Sequence, residues 1–479
     1  MKKSYNRTFH LCSKTRRLLW AGSMVFLLLA GGCKKFLNIP LPANSVAGSD
    51  AYGADQTTSG VLNGIYNKLL SSSLAGTGIG YYAGLYTDDL QNVSITNTTT
   101  KLWYSNVITG TYGGVYWTYL YNQIGVANTT IEAMRPSSLP NRNQWLGEAL
   151  FLRALMYYYL VNMYGDVALA VSSDYKVNNV LSRAPKSSVY QQIVADLKEA
   201  QGLLGAGYVD YNGNTATDRA RPDQAAAAAL LARVDLYLGN WADAETLSTA
   251  VIGNPAYTLE TPANVFLATS KENIWGLLPP SGLGFSVADA RNYVFTPGTN
   301  VVTSQVNVAL SPSLVNSFEP GDLRLTKWTD TTTTGTPTYY YAHKYRVIGP
   351  VAKATETLTL LRLAEQYLIR AEARAQQNNL AGAASDLNVI RSRAGLPGTT
   401  AATQAGLLTA IAQERRVELF TEQGHRFFDL KRTGKIDAVM GTVSPQKGSA
   451  WQTYMQYWPI PTTETLVNPN LTQTPGYQQ

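Results

Sequence analysis

The chain has 479 residues, and its formal charge of +7 comes from 39 Lys and Arg against 32 Asp and Glu. That excess does not indicate nucleic-acid binding, because six of the cationic residues lie within the first 17 positions and no Lys/Arg cluster follows them. Charged residues make up only 15% of the chain, whereas 30 Tyr and 9 Trp favour contacts with neutral, hydroxyl-rich ligands.

An export signal occupies the start of the chain. A basic, acid-free stretch precedes an apolar run from Leu18 to Cys33 that is too short to cross a bilayer. Small residues stand immediately before Cys33, as they do where a lipoprotein signal is cut and the new N-terminal thiol is acylated. We therefore predict a removed signal peptide at residues 1–32, a lipid on Cys33 and a linker at 33–45. An ordinary secretory signal with an incidental cysteine is the alternative.

Removal of that segment changes the charge and cysteine count. From residue 33 onward, 33 cationic side chains face 32 acidic ones, and Cys12 is lost with the signal. No later apolar run approaches the roughly 18 residues of a membrane helix. We therefore expect a water-soluble body without disulfides, tethered by its lipid.

Apolar residues recur at the helical period along much of this body. The stripe that begins at Trp145 continues to Met163 and stops at Gly165, which predicts a long helix. Two segments, Gln224–Ile252 and Leu361–Gly395, break at Gly-Asn and Asn-Asn and then resume, which predicts helix pairs with tight turns. The predicted fold class is mainly α, with tetratricopeptide-like helix pairs forming an α/α superhelical scaffold in a single domain over residues 46–479.

Two insertions have a different texture. Residues 71–116 and 253–357 are rich in Gly, Ser, Thr, Asn and Pro, with aromatic residues at no helical period. We expect surface loops and a few short β-hairpins there.

Ligand contacts are predicted in these insertions, because sugar C–H faces stack on aromatic rings while the hydroxyls pair with Asn, Asp and Arg. The candidate residues are Trp103, Tyr104, Asp89, Asn92, Arg291, Asn292 and Tyr293. For any single ring, a position in the core or in a hairpin is an equally good interpretation.

Catalytic and metal chemistry is weakly indicated. The tract 414–429 is rich in Glu, Arg and Asp, which could provide a hydrolase carboxylate pair but is better interpreted as an ion-pair network on a helix. Only His343 and His425 lie outside the signal, which excludes a multi-His metal centre and argues against an enzyme. We predict no metal and no cofactor. The segment 210–218 offers calcium-type oxygens without EF-hand spacing.

Six fragments in order carry a family resemblance. They are GIYNKL with YTDDL, WTYLYNQIGVAN, GEALFLRALMYYYLVNMYGDVAL, RLAEQYLIRAEARA with LNVIRSRAGL, ERRVELFTEQGHRFFDLKRTG, and WPIPTTETLVNPNLTQTPGY. With the lipoprotein signal before them, the chain resembles the SusD/RagB outer-membrane lipoproteins over nearly its whole mature length.

The resemblance implies a function and a partner. Such proteins are not enzymes; they lie on the cell surface over a SusC-like TonB-dependent β-barrel transporter and capture an oligosaccharide, or in some cases a peptide, for import. We therefore expect a glycan-binding lipoprotein of a Gram-negative outer membrane that faces the cell exterior. One departure concerns that orientation, because Lys34 and Lys35 follow the cysteine where surface-exposed members often carry acids. The alternatives are a peptide receptor, a structural adaptor on the transporter or, less favoured, an anchored glycoside hydrolase.

Overall fold

Helices dominate the computed structural model, which describes residues 50–70, 78–279, 287–296, 306–332, 338–349 and 351–478. The chain divides into two units, Met1–Ala51 and the compact body Tyr52–Gln479. The predicted signal peptide, Cys33 and the linker at 33–45 lie outside the described residues.

The helices and strands have the following bounds. In chain order the helices are α1 (Asp55–Lys68), α2 (Ile79–Tyr86), α3 (Thr98–Tyr104), α4 (Gly110–Gly113), α5 (Trp117–Met134), α6 (Arg142–Tyr164), α7 (Tyr175–Asn178), α8 (Lys186–Leu203), α9 (Gln224–Leu238), α10 (Trp241–Ile252), α11 (Ala288–Tyr293), α12 (Pro312–Val315), α13 (Leu323–Trp328), α14 (Leu363–Gln376), α15 (Leu380–Arg393), α16 (Gln404–Leu419), α17 (His425–Arg432), α18 (Ile436–Gln446) and α19 (Thr462–Val467). The strands are β1 (Leu90–Asn92), β2 (Val167–Ala168), β3 (Arg183–Ala184), β4 (Asn273–Leu277), β5 (Val308–Leu310), β6 (Thr329–Thr332), β7 (Tyr339–Ala342) and β8 (Leu358–Arg362).

Successive helices pack on one another and form the scaffold. α5 packs on α6, α6 on α8, α8 on α9, and α9 on α10. α10 then packs on α14, although more than a hundred residues separate them in the chain, and α14 packs on α15 and α16. This succession is the mainly helical, tetratricopeptide-like architecture that the sequence predicts.

The two predicted turns lie between helices, as expected. Gly239 follows α9 in the left-handed conformation with φ +77°, which glycine adopts without steric cost, and α10 begins at Trp241. Asn378 has φ +62° between α14 and α15. The N-terminus of α9 is capped by Asp223, whose carboxylate accepts from the backbone N–H of Ala226 at 2.8 Å.

The central helix, α6, is enclosed on all sides. Every residue from Trp145 to Tyr164 is buried, because α1, α5 and α8 all pack against this helix. The sequence predicted one apolar stripe, whereas the structure buries the whole circumference.

The first insertion is more ordered than expected. In place of surface loops alone, residues 79–113 contain α2, β1, α3 and α4, and every residue of α2 is buried. The helix has no amphipathic period because it has no solvent-facing side, which is why its pattern did not indicate a helix.

Antiparallel pairing joins the two insertions to each other. Strand β1 pairs with β5, so that Leu90 lies opposite Leu310 and Asn92 opposite Val308. The hydroxyl of Ser311 donates to the carbonyl of Asp88 beside this pair. Strands β6 and β7 form a short hairpin of the predicted kind, and β4 pairs with β8.

Buried ion pairs occupy the charged tract 414–429. Glu418 accepts from Arg324 at 2.9 Å and from Arg362, and Arg362 also donates to Glu422 at 2.8 Å. Burial acts to raise the pKa of Glu418, but the surrounding arginines hold it well below its ordinary value. The network interpretation of this tract is therefore confirmed.

Across the described chain, no helix combines the length and apolarity needed to span a membrane.

Candidate functional site

Helix α2 brings two tyrosines to the edge of the body. Tyr81 and Tyr82 are 5% and 9% exposed, and their neighbours in the helix are buried. The helix lies directly against the loop after α16, since a Cβ at Gly80 would overlap the carbonyl oxygen of Thr421. A glycine at this position therefore allows the close approach that fixes both rings.

Trp103 supports this arrangement from inside. Its ring is fully buried, stacked on Tyr82 with centroids 4.5 Å apart and an interplanar angle of 30°. Trp458 contacts it edge-on at 4.6 Å. The sequence predicted a direct ligand contact for Trp103. In the structure neither face of its ring is open to a ligand, because the ring is fully buried among other aromatic side chains. Trp103 is a core residue that holds Tyr82 in place.

A cavity of about 270 Å³ lies outside these tyrosines, and we call it the polar pocket. It is lined by Tyr81, Tyr82, Asn97, Thr99, Thr100, Arg291, Asn292 and Asn307. Two of the sequence-predicted residues, Arg291 and Asn292, thus meet α2 and α3 here. Their helix, α11, belongs to the second insertion, so the pocket is built from both insertions.

Local hydrogen bonds order one wall of the polar pocket. Asn97 caps α3, its side-chain oxygen accepting from the backbone N–H of Thr100 at 2.9 Å. The hydroxyls of Tyr81 and Thr100 lie 3.4 Å apart. Burial raises the pKa of Tyr81 to about 12, so its phenol stays protonated and can donate to a ligand.

Three other predicted residues, Tyr293, Tyr104 and Asn92, are not part of the pocket lining. Tyr293 is buried, with its ring centroid 6.0 Å from that of Tyr81. Tyr104 is half-buried, and the ammonium of Lys447 lies 4.8 Å from its ring centroid. Asn92 closes a turn, accepting from the backbone N–H of Ser94 at 3.1 Å.

Asp89 lies apart from the polar pocket. It is buried, and its carboxylate accepts from Nε of Arg416 at 3.0 Å. Burial raises the pKa of Asp89, and the charge of Arg416 opposes that shift. The structure thus does not bring Asp89 together with Arg291 and Asn292.

Two family models match consecutive parts of the chain. The one described as "Starch-binding associating with outer membrane" matches residues 60–236, and the one described as "SusD family" matches residues 288–477. A curated relative, SusD-like protein P2 of Formosa agariphila, is 29% identical over 423 residues, which are 76% of this chain and 80% of the relative. The chain belongs to the SusD family.

Solved structures of SusD proteins share its fold. A SusD superfamily protein from Parabacteroides distasonis aligns with a TM-score of 0.74 at 22% identity, covering 90% of this chain and 100% of that one. A laminarin-binding SusD-like protein aligns with a TM-score of 0.73 at 25% identity, covering 88% and 100%. The predicted fold and family are therefore confirmed.

Sequence reasoning missed several pocket residues of this SusD protein. The sequence pattern did not single out Asn97, Thr99, Thr100 or Asn307, and it did not distinguish Tyr81 and Tyr82 from the other aromatic residues of the first insertion. The spacing of Asn97 and Thr100 is that of a helix cap, a signal that could have placed α3. No local signal indicates that Asn307 lies near α2, because this proximity depends on the long-range pairing of β1 with β5.

The chemistry of the polar pocket suits binding. Three amides, two threonine hydroxyls and one guanidinium supply both donors and acceptors. Within its described lining there is no carboxylate, whereas glycoside hydrolysis generally requires two.

The segment 210–218, which offered calcium-type oxygens, forms a closed turn in which Asp210 accepts from the backbone N–H groups of Asn212 and Asn214. No cluster of three or more metal-ligating side chains occurs in the described chain.

Proposed function

We propose that this SusD protein binds an oligosaccharide at the polar pocket. The observation that carries the proposal is the pocket itself, in which two tyrosines, three amides, two threonine hydroxyls and the guanidinium of Arg291 converge from two insertions. Such groups match the alternating C–H and hydroxyl surface of a sugar. The laminarin-binding protein of the same fold supports a glycan as the ligand class.

The proposal extends to delivery and anchoring. We propose that a lipid on Cys33 holds the body at the outer face of the outer membrane, where it passes the glycan to a SusC-like TonB-dependent β-barrel. The description of one matching family model as associating with the outer membrane supports this location. The lipoprotein pattern before Cys33 supports the anchor. Mass spectrometry of the membrane-extracted protein tests the lipid, and an unmodified thiol would remove the anchor from the proposal.

Binding without catalysis is the proposed role. The carboxylates of the tract 414–429 are engaged with arginines, as Arg362 is with Glu418 and Glu422. Shallow sugar sites of this kind usually give dissociation constants in the micromolar to millimolar range, roughly −8 to −4 kcal/mol. Incubation of the purified protein with a bound glycan should release no reducing sugar.

The test uses calorimetric titration against a glycan panel that begins with laminari-oligosaccharides. We expect Asn292→Ala and Arg291→Ala to weaken binding about tenfold, because each removes hydrogen bonds to the sugar. Arg135→Ala is the matched control, since Arg135 is a half-exposed surface arginine paired with Glu199 and lies outside the pocket. Unchanged affinity in both pocket variants would contradict the assignment. Binding of peptides but of no glycan would assign the protein to the peptide-binding alternative.

A further inference from the structure

A larger cavity lies within the helical scaffold, away from the residues of the polar pocket. Its volume is about 520 Å³, within the range of small-molecule sites. The turn between α9 and α10 forms one side, and α14, α16 and α17 form the others. We call it the helical cavity, and its lining includes Trp241, Arg416, Arg426 and Lys435.

Trp241 gives this cavity an aromatic face. The residue begins α10 and is half-buried, and Gly239 of the preceding turn lies beneath it, with its Cβ position 3.5 Å from the ring. Its ring makes no pair with another aromatic side chain of the described body, and part of it packs on the aliphatic cluster that contains Leu236 and Ala244. The other described tryptophans are buried, except Trp451, which contacts the ring of Tyr86. Trp241 is half-buried and lines the cavity, so the part of its ring outside that cluster is open to stacking by a ligand.

Cations exceed acids around the helical cavity. Five Arg and Lys side chains line it against three Asp and Glu, and a fourth acid, Asp88, lies behind them and pairs with Arg416 and Arg426. Those two arginines bind the acids through Nε and Nη2, at distances of 2.9–3.0 Å. Their Nη1 groups, and the ammonium of exposed Lys435, make no hydrogen bond to any described residue.

The arrangement thus leaves cationic donors and an aromatic face in one cavity. An aromatic face selects a ring with apolar C–H groups, and excess positive charge selects an anion, because charge-assisted hydrogen bonds are about twice as strong as neutral ones. We propose that the helical cavity is a second subsite, which binds the carboxylate of a uronic acid residue while its ring stacks on Trp241. The choice of a sugar as the ligand rests on the proposed function.

The probes are trimers of galacturonate, glucuronate, mannuronate and guluronate, titrated into the purified protein by calorimetry. We expect at least one to bind in the micromolar to millimolar range. The methyl ester of that trimer, which keeps the ring and lacks the charge, should bind at least tenfold more weakly. Raising NaCl from 0.05 to 0.5 M should also weaken binding severalfold, because salt screens the charge interaction.

Variants locate the site. Trp241→Ala and Lys435→Glu should each weaken binding of the trimer at least fivefold. Lys435 is exposed, so Lys435→Glu tests the charge without disturbing the fold even if Trp241→Ala is unstable. Trp451→Ala and Lys271→Glu, which alter a half-buried tryptophan and an exposed lysine outside the cavity, are the matched controls and should bind as the wild type does.

The two proposed sites fail separately. Asn292→Ala should weaken the neutral glycan and leave the uronate unchanged, whereas Lys435→Glu should do the reverse. The second subsite is overturned if no trimer binds, if the ester binds as tightly as the acid, or if Trp241→Ala and Lys435→Glu both retain wild-type affinity. Tighter binding of a hexaglutamate peptide than of any uronate would also overturn it, because the cavity would then be a peptide site.

Discussion

Replacing Trp103 by Ala tests whether this ring belongs to the core or to a ligand site. The ring is fully buried, with the centroids of Tyr82 and Trp458 at 4.5 and 4.6 Å. Truncating a buried tryptophan lowers the free energy of unfolding by about 3–5 kcal/mol, because transfer energy is lost and a cavity remains. With two close ring pairs, each contributing roughly 0.5–1.5 kcal/mol, we expect a loss near the upper end of that range.

The measurement is urea unfolding followed by far-UV circular dichroism, with glycan titration of each folded variant. Trp451→Ala is the matched control: Trp451 is half-buried, its ring lies 6.0 Å from that of Tyr86, and its indole donates to Asp437 at 2.7 Å. We expect Trp451→Ala to lower the free energy of unfolding by about 1 kcal/mol. Trp103→Phe keeps an aromatic ring and removes a buried indole N–H that has no partner in the described body, so it should cost only about 1–2 kcal/mol.

One result would refute this reasoning. Suppose that Trp103→Ala unfolded at the same urea concentration as the wild type and nevertheless lost glycan binding. The ring would then contact the ligand directly, and it would be exposed rather than buried in the protein that binds glycan. A large loss of stability with weakened binding would instead show that Trp103 acts by holding Tyr82.

Three further outcomes are expected. Gly80→Ala should lower the free energy of unfolding by more than about 2 kcal/mol, because its Cβ would overlap a backbone carbonyl. Gly64→Ala is the control, because this helical glycine has open space around it, and it should raise the free energy of unfolding by about 0.5–1 kcal/mol. Equal effects of the two variants in chemical denaturation would contradict the close approach at Gly80. Arg233→Ala should lower the free energy of unfolding by about 3–5 kcal/mol, because it leaves Glu365 buried without its partner at 2.6 Å. A double variant with Leu at both positions should recover much of that loss in the same denaturation assay. Burial, and secondarily the charge of a nearby glutamate, raises the pKa of Asp289 from 3.8 to about 8. The free energy of unfolding should therefore fall as pH rises between these values, by at most about 1.4 kcal/mol per pH unit. Asp289→Asn should remove that part of the pH dependence, and parallel pH profiles of wild type and variant would exclude the pKa shift.

Helices that pack on one side were predictable from the sequence, and the enclosed ones were predictable only in part. The turns at Gly239 and Asn378 were evident because each interrupts an apolar period and favours a left-handed backbone. Helix α2 was missed because a segment that is apolar all round shows no period. The same limitation affected the aromatic residues, since neither spacing nor composition distinguishes the buried ring of Trp103 from a ring at the protein surface.

The residues alone determined the export signal pattern, the family resemblance and the helical scaffold, because these depend on local spacing and on ordered fragments along the chain. Only the tertiary structure decided which predicted ligand residues meet. Arg291 and Asn292 reach Tyr81 because β1 pairs with β5 across more than two hundred residues, and Asp89 turns to Arg416 instead. Strand register and ion-pair choice at such separations depend on the free energy of the whole packed body, which no local pattern contains.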